Sequence, residues 1–191
     1  GAVLMPLLRN TWGHFRTINH HKWEVLKNCF RIGLYRQGLL HDLSKYSPTE
    51  FRTGIRYYKG TQSPNGVERL ATGVSPAWLH HKGRNKHHFE YWVDYDLKDP
   101  NRMIGCRMPY RYVAEMFCDR VAACKVYRGK DYRDSCPWEY FRKMEHTPLL
   151  HEKTREELIF LLKLLRDEGE KAAFDYLRGE VRRRRRERDY F

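Results

Sequence analysis

Apolar residues recur along this chain at the three-to-four-residue spacing of an α-helix, and period-two alternation over a strand's length is hard to find. That periodicity makes the expected fold all-α. His21, Val25, Cys29 and Ile32 share one stripe of a helix over roughly residues 17–35, so His21 points where core residues point. A second helix carries Leu39, Leu40, His41 and Asp42. It stops near Tyr46, because Ser47-Pro48-Thr49-Glu50 is a capping box with proline in the first helical position. A third helix follows to about Tyr58. Lys59–Gly73 holds Gly60, Pro64, Asn65, Gly66 and Gly73 and reads mainly as a loop, with at most one helical turn around Glu68–Ala71. Ser75-Pro76 restarts a short helix bearing Trp78, His80 and His81, with His87 and His88 soon after. Pro109 opens a long helix to about Tyr127, where Asp119 interrupts a stripe of Tyr112, Met116, Ala123 and Val126. Helices around Pro137–Met144 and Thr154–Leu165, and a last one through Ala172, Phe174 and Tyr176, read as structural.

Of the 191 residues, 41% are hydrophobic and 14% aromatic, which supports one buried core and excludes general disorder. The expected layout is an N-terminal extension over residues 1–14 and one helical domain over 15–180. Within that domain the metal-site core covers about 15–128 and the C-terminal helices about 135–180, with a basic tail over 181–191. The apolar run Ala2–Leu8 is broken by Pro6 and falls well short of the ~20 residues of a membrane span, so no anchor or signal peptide is expected. Five cysteines without a C-x-x-C pair point to reduced thiols and a cytoplasmic location. The net charge of +13 attracts polyanions, nucleic acid among them, and the arginines of the tail add to it. The tail itself, Arg178 to Phe191, reads as a frayed, solvated helix end.

Chemistry belongs where metal-competent side chains lie on buried helix faces, because burying them without partners costs several kcal/mol. His21, the His41-Asp42 pair, the cluster His80, His81, His87 and His88, and Asp119 all meet that condition. Imidazole and carboxylate together suit Fe, Mn, Ni, Co or Zn, and helical bundles hold such ions from several helices at once. A Gly-rich phosphate loop, a G-x-S-x-G elbow and a Cys-His nucleophile pattern are not evident, which sets aside the commoner NTPase and acyl-transfer classes.

The order His21, His41-Asp42, His80/His81, His87/His88, Asp119 resembles the HD-domain superfamily of metal-dependent phosphohydrolases. His21 with Val25 resembles its first-helix pattern, and Gly38-Leu39-Leu40-His41-Asp42-Leu43-Ser44-Lys45 resembles its apolar-apolar-His-Asp-x-x-Lys signature. More narrowly, His41–Phe51, Trp78–Trp92 and Met116–Arg120 are similar to a bacterial family with no assigned activity. The resemblance implies that His21, His41, Asp42 and Asp119 bind a first metal, with Asp42 bridging to a second held by His80/His81 and His87/His88. One ion or two stays open, as does the ligating member of each doublet, His20/His21 included.

The reaction implied by that resemblance is hydrolysis of a small phosphate ester, such as a nucleotide, since a divalent ion lowers the pKa of bound water from ~15.7 toward ~7. Asp42 and Lys45 are then the catalytic candidates. Lys45, Lys82, Arg84, Asn85, Lys86 and Lys125 are the candidates for holding phosphate. Trp78, Tyr91 and Trp92 offer stacking surfaces, although aromatics at helical spacing more often pack in cores. Two rivals carry different chemistry: a di-iron oxidoreductase on a similar ligand set, and a non-catalytic nucleic-acid-binding or scaffold domain working through its basic surface.

Overall fold

The computed structural model describes residues 4–187; Gly1–Val3 and residues 188–191, including Arg188 of the basic tail, lie outside the described residues. The all-α bundle expected from the apolar spacing is the fold observed. In chain order the helices are α1 (Leu4–Arg31), α2 (Tyr35–Leu40), α3 (Pro48–Arg56), α4 (Pro64–Thr72), α5 (Pro76–Lys82), α6 (Tyr110–Arg128), α7 (Cys136–Phe141) and α8 (Glu152–Arg186). A small antiparallel hairpin of β1 (Val93–Tyr95) and β2 (Met103–Gly105) sits between α5 and α6, with Asp94 opposite Ile104. Val93-Asp94-Tyr95-Asp96-Leu97 does alternate apolar with polar around β1, whereas β2 shows no such signal.

The core forms around α6, which packs between α1 and α8. Val113, Phe117, Cys118 and Val121 of α6 meet Val25, Cys29 and Ile32 of α1 on one side, and Leu158, Leu161, Leu165 and Phe174 of α8 on the other. Phe117 is fully buried, and its ring lies 5.5 Å from that of Phe174. Truncating such a side chain to alanine costs about 3–5 kcal/mol. No helix among the described residues is long and apolar enough to cross a membrane.

Several boundaries differ from the sequence expectation, each for a local reason. Helix α1 begins at Leu4, so residues 4–14, set apart as an extension, are its first turns and bring His14 into the buried interior. It ends at Arg31 rather than near residue 35, because Gly33 turns the chain at φ 83°. The segment read as a loop holds α4, which Pro64 opens and Gly73 closes in the left-handed region. The two helices expected at the C-terminus form one element that breaks at Gly169 (φ 85°, ψ 172°), where Asp134 accepts the Glu170 N–H at 3.1 Å. As far as Arg186 the arginine segment is helical rather than frayed. Val181 is buried, and Arg184 pairs with Glu157 at 2.8 Å and Glu180 at 2.6 Å while lying 3.8 Å over the Tyr110 ring.

Candidate metal centre

Helix α1 turns His14, Ile18, His21 and Val25 inward at helical spacing. His20 points outward beside Glu24, so His21 is the inward member of that doublet. The His41-Asp42 pair occupies the turn after α2. Asp42 adopts the left-handed region (φ 54°, ψ 26°), the one non-glycine positive φ among the described residues, a conformation that costs about 1–2 kcal/mol. Lys22 holds that turn to α1, its Nζ donating to the carbonyls of Leu39 at 2.8 Å and His41 at 2.9 Å. Helix α6 contributes Glu115 and Asp119, one turn apart on one face. The capping serine of α5, Ser75, accepts the Trp78 N–H at 3.1 Å and fixes the start of the helix that ends in His80 and His81.

These elements bring seven side chains to one place. His21 Nε2 lies 2.9 Å from Asp119 Oδ1 and 3.5 Å from Asp42 Oδ2, and His41 Nε2 lies 3.3 Å from Asp42 Oδ2 and 3.4 Å from Asp119 Oδ1. On the other side of the same carboxylate, Asp42 Oδ1 lies 3.4 Å from both His81 Nε2 and His87 Nε2, while His81 Nε2 is 2.9 Å from His88 Nε2. In each of the sets His21, His41, Asp42, Asp119 and Asp42, His81, His87, His88, one donor atom per residue lies within 4.8 Å of the others. These buried groups could hold a metal ion. His21 Nε2, His41 Nε2, His87 Nε2 and Asp42 Oδ1 are all buried without a hydrogen-bond partner, which is costly for polar atoms and is what coordination would relieve.

A second layer orients the imidazoles. Glu115 Oε1 lies 2.9 Å from His41 Nδ1 and 3.2 Å from His87 Nδ1, and its Oε2 accepts from Gln37 Nε2 at 2.6 Å. Glu50 reaches His80 Nδ1 at 2.7 Å and His81 Nδ1 at 2.8 Å. A carboxylate on Nδ1 fixes the tautomer and leaves Nε2 to an ion. Burial alone would raise the Glu115 pKa, but the bonds from His41 and His87 outweigh it and hold the group at about 2. Burial likewise opposes ionisation of Asp42 and Asp119. The charges of His41 and Lys45 around Asp42, and the imidazoles of His21 and His41 beside Asp119, hold both carboxyls well below the usual range.

His80 stands outside both sets: Glu50 holds it, and it belongs to neither donor cluster. Of the candidates for phosphate, Lys45 lies 2.6 Å from Asp42 Oδ2 and lines a cavity of about 900 Å³ beside the centre. Lys82, Arg84, Asn85, Lys86 and Lys125 do not line that cavity. Asn85 is buried and braces the histidines, donating to Ser44 Oγ at 2.9 Å and His81 O at 2.8 Å. Arg84 donates back to His80 O at 3.2 Å, and Lys125 pairs with Glu170 at 2.6 Å. Trp78 lines the cavity, whereas Tyr91 and Trp92 do not.

Three residues escaped the sequence reading. Glu115 lies one turn before Asp119. Glu50 was visible only as the last member of a capping box, yet its carboxylate serves the histidines instead. His14 lies two turns before His21, lines the cavity, and leaves Nδ1 buried without a partner. Burial, reinforced by the Lys45 charge, lowers its pKa to about 4. Gly54 makes room for it, since a Cβ there would fall 1.9 Å from His14 Nε2.

No curated protein and no solved structure is significantly similar to the chain. Residues 10–164, most of its length, match the model of a family of unknown function (DUF5662), and the chain belongs to that family.

Proposed function

We propose that this protein is a metal-dependent phosphohydrolase of the HD type, using one or two divalent transition ions drawn from Fe, Mn, Ni, Co and Zn on a nucleotide or other small phosphate ester. The observation that carries the reading is the shared carboxylate: Asp42 turns Oδ2 to His21 and His41 and Oδ1 to His81 and His87, with Asp119 completing the first donor set and His88 the second. Mixed imidazole and carboxylate donors suit those ions. The order of the donors along the chain, His21, His41-Asp42, His81, His87/His88, Asp119, keeps the resemblance noted in the sequence. The adjoining cavity of about 900 Å³ falls within the usual size of small-molecule sites.

A divalent ion bound there supplies Lewis acidity to a phosphoryl oxygen and to a water. The protein's own groups do the rest. Asp42 and Asp119 stay ionised to hold the charge in place. Glu115 and Glu50 keep protons on the Nδ1 atoms that face them, so that the Nε2 atoms stay available. Lys45, 2.6 Å from Asp42 and facing the cavity, places a cation where a phosphoryl oxygen would lie. His14, neutral at physiological pH, offers the substrate a hydrogen-bonding group. A cytoplasmic setting belongs to the same reading, supported by five cysteines that form no disulfide.

The test is elemental analysis of the purified protein, followed by a panel of phosphate mono- and diesters assayed with Mn, Ni, Co and Fe. Metal-dependent release of phosphate, lost on chelation and restored by the ion, is expected; a metal-loaded protein inert on the whole panel would overturn the reading. The three histidines of the second donor set also suit iron, and a di-iron oxidoreductase is the second reading. It would show as visible absorption in aerobically purified protein, with oxygen consumed rather than phosphate released.

A further inference from the structure

The cavity beside the metal centre runs away from it along α6. Asp119, Ala123 and Tyr127 line it at successive turns, and Arg120, Cys124 and Arg128 line it one residue on. At about 1.5 Å per residue, the stretch from Asp119 to Arg128 is about 13 Å long. Arg120 lies next to Asp119 near the metal end, and Arg128 lies at the far end.

Arg120, Arg128, Arg69 on α4 and Lys143 after α7 all line the cavity, and none has a carboxylate within 4.0 Å among the described residues. Solvent-facing arginines of α8 behave differently: Arg166, Arg178 and Arg183 each hold an acidic neighbour. Arg120 is the most telling of the four. Its guanidinium carbon lies 5.2 Å over the ring of Phe141, which is fully buried, and its Nε is buried without an acceptor. Stacking on Phe141 fixes the plane of the group and leaves its N–H edge to whatever fills the cavity. Beyond the metal-donor carboxylates, the acidic residues lining the cavity are Glu50, Glu90 and Asp131, and Glu50 is committed to His80 and His81.

We infer that the substrate is bis-anionic: one phosphate sits on the metal donors, and a second phosphoryl group, separated by a chain of several atoms, is received by the Arg120 guanidinium. Which phosphate reacts rests on the phosphohydrolase reading, whereas the second group's binding does not require turnover.

Titration calorimetry on the Mn-loaded protein, comparing 1,6-hexanediol bisphosphate with n-hexyl phosphate, isolates the second group. The bisphosphate should bind about tenfold more tightly or better, the scale of a charge-assisted hydrogen bond, and the advantage should shrink with added salt. In Arg120→Gln it should fall to about threefold or less, while Arg128→Gln, about 12 Å farther along α6, should leave it intact. Arg128 is exposed, so its variant controls for a general loss of cavity charge without a folding defect. Equal affinities in the wild type, no binding of either probe, or an undiminished advantage in Arg120→Gln would overturn the inference. The two proposals fail separately: preferential binding without hydrolysis by any metal sinks the phosphohydrolase, and hydrolysis without preference sinks the second anion site.

Discussion

Glu115 Oε1 lies 2.9 Å from His41 Nδ1, which turns the other nitrogen of that ring toward Asp42 and Asp119. The same oxygen is 3.2 Å from His87 Nδ1, so one carboxylate on α6 orients an imidazole of each donor set. Glu50, by contrast, serves His81 in the second set alone. Losing such an outer carboxylate typically weakens metal binding about ten- to hundredfold. Glu115→Gln should therefore weaken every bound ion, and Glu50→Gln only one of two. Metal titration of both variants checks this. Indistinguishable losses would contradict the division of labour between the two carboxylates.

His14 sets a pH dependence of its own. Its pKa is about 4 in the folded chain against 6.5 when free. As pH falls from 6.5 toward 4, the unfolded chain takes up a proton that the folded chain refuses, so stability declines across that window and is fully present above it. His14→Gln removes this contribution. The thermal midpoint of the variant should fall less than that of the wild type over the same range, measured without metal. Parallel declines would show that His14 does not titrate as its burial implies.

Gly54 is required by its neighbour. An alanine there would place a methyl group 1.9 Å from His14 Nε2, and the imidazole, packed against Phe51 and Tyr58, has little room to retreat. Gly54→Ala should cost about 1–3 kcal/mol in denaturant unfolding. The double variant Gly54→Ala with His14→Ala should recover part of that loss. Additive losses would mean that the two sites do not press on each other.

The fold was legible because each helix buries one face and so leaves its period in the sequence. The donors were legible for a related reason: a histidine or aspartate on a buried stripe, such as His21 or Asp119, stands out against its apolar neighbours. Glu115 did not, because α6 is buried almost all round from Val113 to Cys118, and such a stretch shows no stripe for a carboxylate to interrupt. Glu50 was hidden by its second role in the cap of α3, where Ser47 Oγ accepts its N–H at 3.4 Å. His14 was lost when the start of α1 was placed too late. The basic wall of the cavity is set by packing: Arg69, Arg120, Arg128 and Lys143 come from three separate regions of the chain. Lys82, Arg84 and Lys86 looked promising only through their place between histidines in sequence.

The most direct measurement is metal content per chain in the wild type beside Asp42→Asn, with circular dichroism confirming that both are folded. Asparagine keeps the shape of the side chain and tolerates the left-handed backbone at this position, so the substitution removes mainly the charge shared between the two donor sets. Wild type should carry one or two equivalents of a divalent transition ion, and the variant should lose most of them. A folded Asp42→Asn protein with undiminished metal content would show that these imidazoles and carboxylates do not form the centre described.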